Sequence, residues 1–227
     1  MLDERAGSLL TRRSLILLAG AGLASWSRAY GFAGKEFWET KDPDEWSSDD
    51  IARLLGKSPW AKATVAERTR NVRNTTPETR APRNPAGLGR PRRDPPTRSV
   101  TTYKGTVVWE SASPVRAALR TKLPGGFEGQ YVLGVTGLPL ARSDSNNALD
   151  RLRQVTTLTA RGKQVLEPAG VQEETGNGTV YLFGFARDVL ALSRDDKDVV
   201  FTTHMGRLAF TAKFNPKEML YHGELSL

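Results

Sequence analysis

Apolar residues are spread unevenly along this chain of 227 residues. A short apolar run covers residues 15–24, and a longer apolar-rich part begins after residue 100. Residues 62–98, between them, contain six prolines and few apolar side chains, with no helical or strand period. The pattern predicts four parts, namely a signal peptide (1–29), a small helical Trp-rich segment (30–61), a basic Pro-rich disordered linker (62–98) and a folded domain (99–227).

The folded domain reads as a series of short strands with two helices. Either Ser111 or Ser113 can cap a helix that has Pro114 at its first position, and Asp144 or Ser145 can cap another. Runs of β-branched and aromatic residues predict strands at 106–109, 131–135, 155–160, 163–167, 178–186, 198–204, 207–214 and 219–226. The predicted fold class is α+β, a mainly antiparallel sheet with two short helices, preceded by the helical segment.

The Trp-rich segment predicts a helix that follows Ser47 or Ser48, with Ile51, Leu54 and Leu55 on one face. A shorter helix is predicted over residues 35–40, and the only strand predicted before the linker region covers residues 60–65. The segment supplies the candidate interaction surface, which consists of Phe37, Trp38, Trp46 and Trp60. Such a surface would bind a peptide or a glycan, whereas the alternative interpretation is that these rings form a small core or dock onto the sheet.

The N-terminus has the order of a signal peptide. Arg12 and Arg13 precede the apolar run, which is too short to span a membrane, and small residues lead to a cleavage site after Ala29. Adjacent arginines are typical of twin-arginine signals, in which a receptor reads the two guanidinium groups. We therefore expect export to the periplasm or the extracellular space, with no transmembrane helix after cleavage. The general secretory route and an uncleaved anchor remain alternatives.

The basic character of the chain belongs to one segment. The formal net charge is +8, and residues 62–98 hold ten Lys/Arg against three Asp/Glu. This segment is a candidate for salt-sensitive, non-specific binding to an anionic surface, and a plain solvated linker is the alternative. No aromatic residue lies between Trp60 and Tyr103, so the segment lacks rings on which bases could stack, and we expect no nucleic-acid partner.

Motifs that carry chemistry were not found. The chain has no cysteine and only two histidines, His204 and His222, both in predicted strands. Ser113 and Arg116 have the spacing of a Ser-x-x-Lys nucleophile motif, but arginine stays protonated and cannot act as the base. The sequence therefore predicts no catalytic residue, no cofactor and no metal ligand. A hydrolase with an unrecognised site remains an alternative.

Several short motifs are shared with a known set of proteins. They are Phe-Trp at 37–38, Asp-Pro at 42–43, Ser-Pro-Trp-Ala-Lys at 58–62, the run at 107–119 that reads VVWESASPVRAAL, Val-Thr-Gly-Leu-Pro at 135–139 and Tyr-His-Gly-Glu-Leu at 221–225. In these motifs the chain resembles a family of uncharacterised exported bacterial proteins, loosely related to GWxTD-domain proteins, whose Gly-Trp-x-Thr-Asp signature is absent here. The resemblance implies export and one shared fold, and it assigns no reaction, ligand or catalytic residue.

The sequence thus favours an exported, non-enzymatic interaction or envelope-associated module with an unknown envelope or protein partner. The first alternative is a binder of an anionic envelope surface that uses residues 62–98.

Overall fold

The computed structural model describes residues 36–72, 97–138, 145–175, 178–205 and 208–227. The predicted signal peptide, with Arg12, Arg13 and the cleavage site at Ala29, lies outside the described residues.

The first described segment is helical, as predicted. It contains α1 (Phe37–Thr40), a 3₁₀ turn (Pro43–Glu45) and α2 (Ser48–Lys57). Helix α2 starts with a capping box, because the Ser47 hydroxyl accepts a hydrogen bond from the Asp50 amide at 3.1 Å and the Asp50 carboxylate accepts one from the Ser47 amide at 3.2 Å.

Five antiparallel strands form the first sheet, in the order β1-β2-β3-β6-β5. The strands are β1 (Ala61–Val72), β2 (Thr97–Trp109), β3 (Gln130–Thr136), β5 (Gly170–Thr175) and β6 (Thr179–Ala186). A hydrogen-bonded register ties Val108 to Gly134 and Gly134 to Leu182 across its centre. Helix α3 (Ser113–Leu119) connects β2 to β3.

A second antiparallel sheet has three strands, in the order β4-β7-β8. They are β4 (Thr156–Ala160), β7 (Val199–Met205) and β8 (Leu208–Phe214), and helix α4 (Ser145–Gln154) precedes β4. Burial alternates strictly along β8, where every second residue is buried and the others are exposed, because side chains alternate between the two faces of a strand. The chain ends with a 3₁₀ turn (Pro216–Glu218) and the two-residue strands β9 (Leu220–Tyr221) and β10 (Glu224–Leu225).

Aromatic side chains hold the two sheets together. Phe183 packs edge-to-face on Phe201 at 5.4 Å between ring centroids, and Trp109 packs on Phe214 at 5.3 Å. Such geometry brings the positive edge of one ring to the negative face of another. The sheets also touch at their edges, where the Thr64 hydroxyl on β1 donates to the Thr211 carbonyl on β8 at 3.1 Å.

The predicted fold class is confirmed, since the structure is α+β with mainly antiparallel strands and a helical, Trp-rich start. The β7–β8 hairpin and helix α4 also lie where they were predicted.

The predicted linker is wrong at its two ends. Residues 62–72 and 97–98 belong to β1 and β2, which pair continuously from Ala61 opposite Val108 to Val72 opposite Thr97. The sequence predicted only the start of β1, within residues 60–65, because the polar residues that follow are tolerated in a strand with one face open to solvent. The remainder of the predicted linker, residues 73–96, lies outside the described residues.

Local geometry corrects three smaller predictions. Neither Ser111 nor Ser113 caps α3, because Ala112 is the N-cap and the Ser111 hydroxyl accepts from the Val132 amide instead. His222 lies in the turn between β9 and β10, at a positive φ of 51°, rather than in a strand.

The third corrected prediction is the strand over residues 163–167. Within this range the structure has only an isolated β-bridge, which joins Leu166 to Leu158.

Candidate functional site

The candidate aromatic surface is wrong, because its four members are buried. Phe37, Trp38, Trp46 and Trp60 expose 8%, 5%, 6% and 0% of their area. Their rings form an edge-to-face chain with centroid distances of 4.9 Å from Phe37 to Trp38, 5.5 Å from Phe37 to Trp46 and 5.6 Å from Trp38 to Trp60. We call these four residues the aromatic cluster. The alternative interpretation, that they build a core, describes their role.

Hydrogen bonds tie the aromatic cluster to the end of the chain. The Trp60 indole Nε1 donates to the Ser226 carbonyl at 2.8 Å, and both groups are buried. The Ser113 amide donates to the Ser226 hydroxyl at 2.8 Å, which adds α3 to the same junction. The His222 amide donates to the Glu39 carboxylate at 3.0 Å. These contacts join residues more than a hundred positions apart, so the Trp-rich segment is an integral part of the domain.

Ion pairs reinforce the segment at its surface. Lys41 Nζ lies 2.9 Å from the Asp50 carboxylate, and Arg53 lies 2.6 Å from that of Glu36. Burial acts to raise the pKa of Asp50, but hydrogen bonds from Lys41 and Ser47 outweigh it and hold this pKa below its usual value.

One part of the first sheet is not covered by its neighbours. Strands β1 and β2 pair along their full length, whereas β3 pairs with β2 only from Thr106 to Trp109. The rest forms a two-stranded extension, here called the β1–β2 ribbon, with residues 64–72 on β1 and 97–105 on β2. One face of the ribbon rests on β8, where Ala66 and Tyr103 pack with Leu208 and Phe210.

The other face of the ribbon is open and carries two apolar side chains. Val65 is 56% exposed and Val100 is 55% exposed. Val65 pairs with Lys104, and Val100 pairs with Thr69, four residue pairs further along the ribbon and therefore on the same face. Lys104 is exposed, and Glu67 lies between the two valines. The open face therefore combines two exposed valines with one lysine and one glutamate.

A cleft of about 350 Å³ lies beside α3 and the end of the chain. Arg116, Arg187, Tyr131, Tyr221 and Glu224 line it, together with serine hydroxyl groups. Sequence reasoning missed this cleft, since its two arginines are far apart in the chain and only the fold brings them together.

The walls of this cleft, here called the α3 cleft, are held in place by defined contacts. The Arg187 guanidinium lies over the Tyr131 ring, 4.7 Å from its centroid, and donates to the Leu227 backbone oxygen. The Tyr131 hydroxyl accepts a hydrogen bond from the Leu192 amide at 3.1 Å. Burial raises the pKa of Tyr221, helped by the nearby negative charges of Asp42 and Glu39, so its hydroxyl stays protonated.

A second, shallower depression of about 410 Å³ shares Ser113 and Arg116 with the α3 cleft. Its other lining residues include the cations Arg120 and Lys122. Arg116 lies on α3, whereas Arg120 follows the last helical residue in a left-handed conformation with a φ of 49°, so helical spacing does not account for their proximity.

The candidates for catalysis remain dispersed. His204 is exposed on β7, while His222 lies in the β9–β10 turn. Within the described ranges, no three His, Cys, Asp or Glu side chains come close enough to hold a metal ion. No described helix has the length and apolar character that crossing a bilayer requires.

Comparison with known proteins adds no further constraint, as no family model, curated protein or solved structure matches this chain.

Proposed function

We propose that this protein is an exported, non-enzymatic module that associates with the cell envelope by binding an anionic lipid surface, with the β1–β2 ribbon as the contact. The observation that carries the proposal is the open ribbon face, where half-exposed Val65 lies opposite Lys104 and half-exposed Val100 lies further along, beyond Glu67.

The two kinds of side chain on this face fit a membrane surface better than a soluble polymer. Lysine is attracted by the negative potential of anionic headgroups, with about 1 kcal/mol for each Lys or Arg near the surface. Valine gains free energy when it leaves water for the acyl boundary, at about 0.8 kcal/mol per buried CH₂. A polysaccharide would use the charge and leave the valines in water.

The sequence around the ribbon adds charge of the right sign. Residues 62–98 carry a net charge of +7, while the rest of the chain after residue 29 is close to neutral. Of this charge, +3 belongs to residues 62–72 and 97–98, which lie in β1 and β2, and +4 belongs to residues 73–96, which lie outside the described residues.

Vesicle binding tests the proposal. The full chain should co-sediment with vesicles that contain phosphatidylglycerol and should bind pure phosphatidylcholine vesicles weakly. Added salt should release it, because electrostatic attraction at a surface is screened within a Debye length of about 8–10 Å.

Single substitutions then locate the contact. Lys104→Gln should weaken vesicle binding about fivefold, which corresponds to about 1 kcal/mol. Lys217→Gln is the matched control, because this exposed lysine lies in the 3₁₀ turn outside the ribbon. Equal effects of the two variants would rule out the ribbon as the contact, and equal binding to both vesicle types would rule out recognition of an anionic lipid surface. If the protein binds a soluble anionic polymer, and substitution of the two valines leaves that binding unchanged, the partner is a polymer and not a lipid surface.

Export is a separate part of the proposal and has its own test. Replacing Arg12 and Arg13 with lysine removes the paired guanidinium groups but keeps both charges. The variant should accumulate in the cytosol, whereas the unchanged chain should be found in the periplasm or the medium. An unchanged distribution on cell fractionation would contradict twin-arginine export.

A further inference from the structure

We propose that the α3 cleft is a binding site for a small organic molecule that carries a carboxylate group, with Arg116 as the principal contact. This site is distinct from the ribbon, with which it shares no residue.

The two arginines of the α3 cleft differ in how far their side chains are held by other residues. Arg187 already stacks on Tyr131 and donates to the Leu227 backbone oxygen, so it is fixed in the wall and contributes a positioned charge. Arg116 is exposed on α3 and lines both the α3 cleft and the neighbouring depression. Its planar fork is suited to two parallel hydrogen bonds with a carboxylate.

The rest of the cleft lining includes side chains with hydroxyl groups. The Ser113 and Tyr221 side chains line the same cleft as Arg116. Protonated hydroxyl groups can donate to an anion. Positively charged side chains beside such donors form the kind of convergent polar set that orients a small ligand.

Size and charge restrict the class of ligand. A volume of about 350 Å³ lies at the lower end of small-molecule sites, which run from about 300 to 1,000 Å³. Glu224 lines the same cleft and opposes a second negative charge. A carboxylate with its single charge therefore fits better than a phosphate dianion.

The test compares three probes on the full chain by calorimetry or by NMR titration at constant ionic strength. N-acetylalanine carries one carboxylate, N-acetylalaninamide is its neutral counterpart, and inorganic phosphate is the competing anion. We expect N-acetylalanine to bind at least about tenfold more tightly than its amide, as expected for the loss of a charge-assisted hydrogen bond. No difference between acid and amide, or a preference for phosphate, would overturn the assignment.

Variants place the contact within the cleft. Arg116→Gln should weaken N-acetylalanine binding about tenfold. The affinity of Arg116→Lys should lie between those of the unchanged chain and Arg116→Gln, because lysine keeps the charge but lacks the planar guanidinium fork. Arg161→Gln removes the same charge at an exposed position that is absent from the cleft lining, and should leave binding unchanged. Equal losses in Arg116→Gln and Arg161→Gln would show a general charge effect and would contradict the site. All these variants retain the ribbon, so vesicle binding should be unaffected.

Discussion

The aromatic cluster and the β1–β2 ribbon are close neighbours in the sequence and differ in almost every physical respect. The cluster ends at Trp60, which is fully buried, and the ribbon includes Val65, which is 56% exposed. The segment that looked like a surface became core, while the segment that looked structureless became an ordered strand with an open face. The difference teaches that large aromatic side chains in a small segment mark packing, whereas function is better sought where apolar groups stay in water.

The largest expected effect on stability comes from a substitution in the buried aromatic cluster. Trp60→Ala should lower the free energy of unfolding by about 3–5 kcal/mol, because it leaves a cavity and removes the donor to the Ser226 carbonyl. Denaturant unfolding of the full chain measures the change. Trp60→Phe should cost less, since it refills much of the volume. A loss below about 1 kcal/mol in Trp60→Ala would mean that the cluster is not part of the core.

The next effect tests how tightly the first sheet is packed. A Cβ atom at Gly134 would lie 2.0 Å from the Glu110 carboxylate oxygen and 2.7 Å from its carbon. Glu110 is fully buried, so its carboxyl group has little room to move, and Gly134→Ala should cost about 1–3 kcal/mol.

Gly170→Ala, on the edge strand β5, is the matched control for that substitution. No atom lies within 4 Å of its added Cβ, so thermal unfolding should show little change. Similar losses in the two glycine variants would show that backbone freedom, rather than contact with Glu110, decides the result.

A smaller effect concerns the start of α2. Ser47→Ala removes the side chain that accepts from the Asp50 amide, and should cost about 1 kcal/mol. Ser48→Ala, one position into the helix, is the control and should have little effect. Equal stability of the two variants in urea would contradict the capping box.

The Asp50 carboxylate gives this cap a pH dependence. Its folded pKa lies below the ordinary value of 3.8, so its contribution is present above that value and is lost as the pH falls through the folded pKa. Asp50→Asn should therefore be less stable than the unchanged chain at neutral pH, and the gap should close in acid. A gap that stays constant with pH would show that charge is not involved.

The smallest expected effect on stability comes from substitutions in the β1–β2 ribbon, where stability and vesicle binding should respond differently. Val65→Thr with Val100→Thr should change the free energy of unfolding by less than about 0.5 kcal/mol, because both side chains are exposed. The same double variant should weaken binding to anionic vesicles about threefold to tenfold, from the loss of about one buried methyl group at each position. The pair Val165→Thr and Val189→Thr is the control, at 56% and 51% exposure outside the ribbon. Equal binding losses in the two pairs would contradict a specific contact.

Local sequence patterns predicted the helices and strands that depend mainly on interactions between residues near in the chain. A cap at Ser47 or Ser48 predicted the start of α2, and runs of β-branched and aromatic residues at 198–204 and 207–214 predicted β7 and β8. Strand β5 was missed because residues 170–175 are polar and lie at an edge, where alternation is not required. Only the start of strand β1 was predicted, within residues 60–65, because its pairing with β2 crosses a long insertion.

The candidate sites were harder to predict, because burial and proximity are properties of the whole fold. Nothing in the local sequence shows that Trp60 faces Ser226, or that Arg187 and Arg116 line one cleft. The exposure of Val65 depends on the whole fold, since the residues of β8 pack against the opposite face of the ribbon.

Hydrogen exchange of the full chain, with and without phosphatidylglycerol vesicles, tests the central claim most directly. We predict that vesicles slow the exchange of amides in residues 64–72 and 97–105, and leave those of the edge strand β5 unchanged. Protection spread evenly over both edges of the sheet, or absent from the ribbon while the protein is vesicle-bound, would contradict the account.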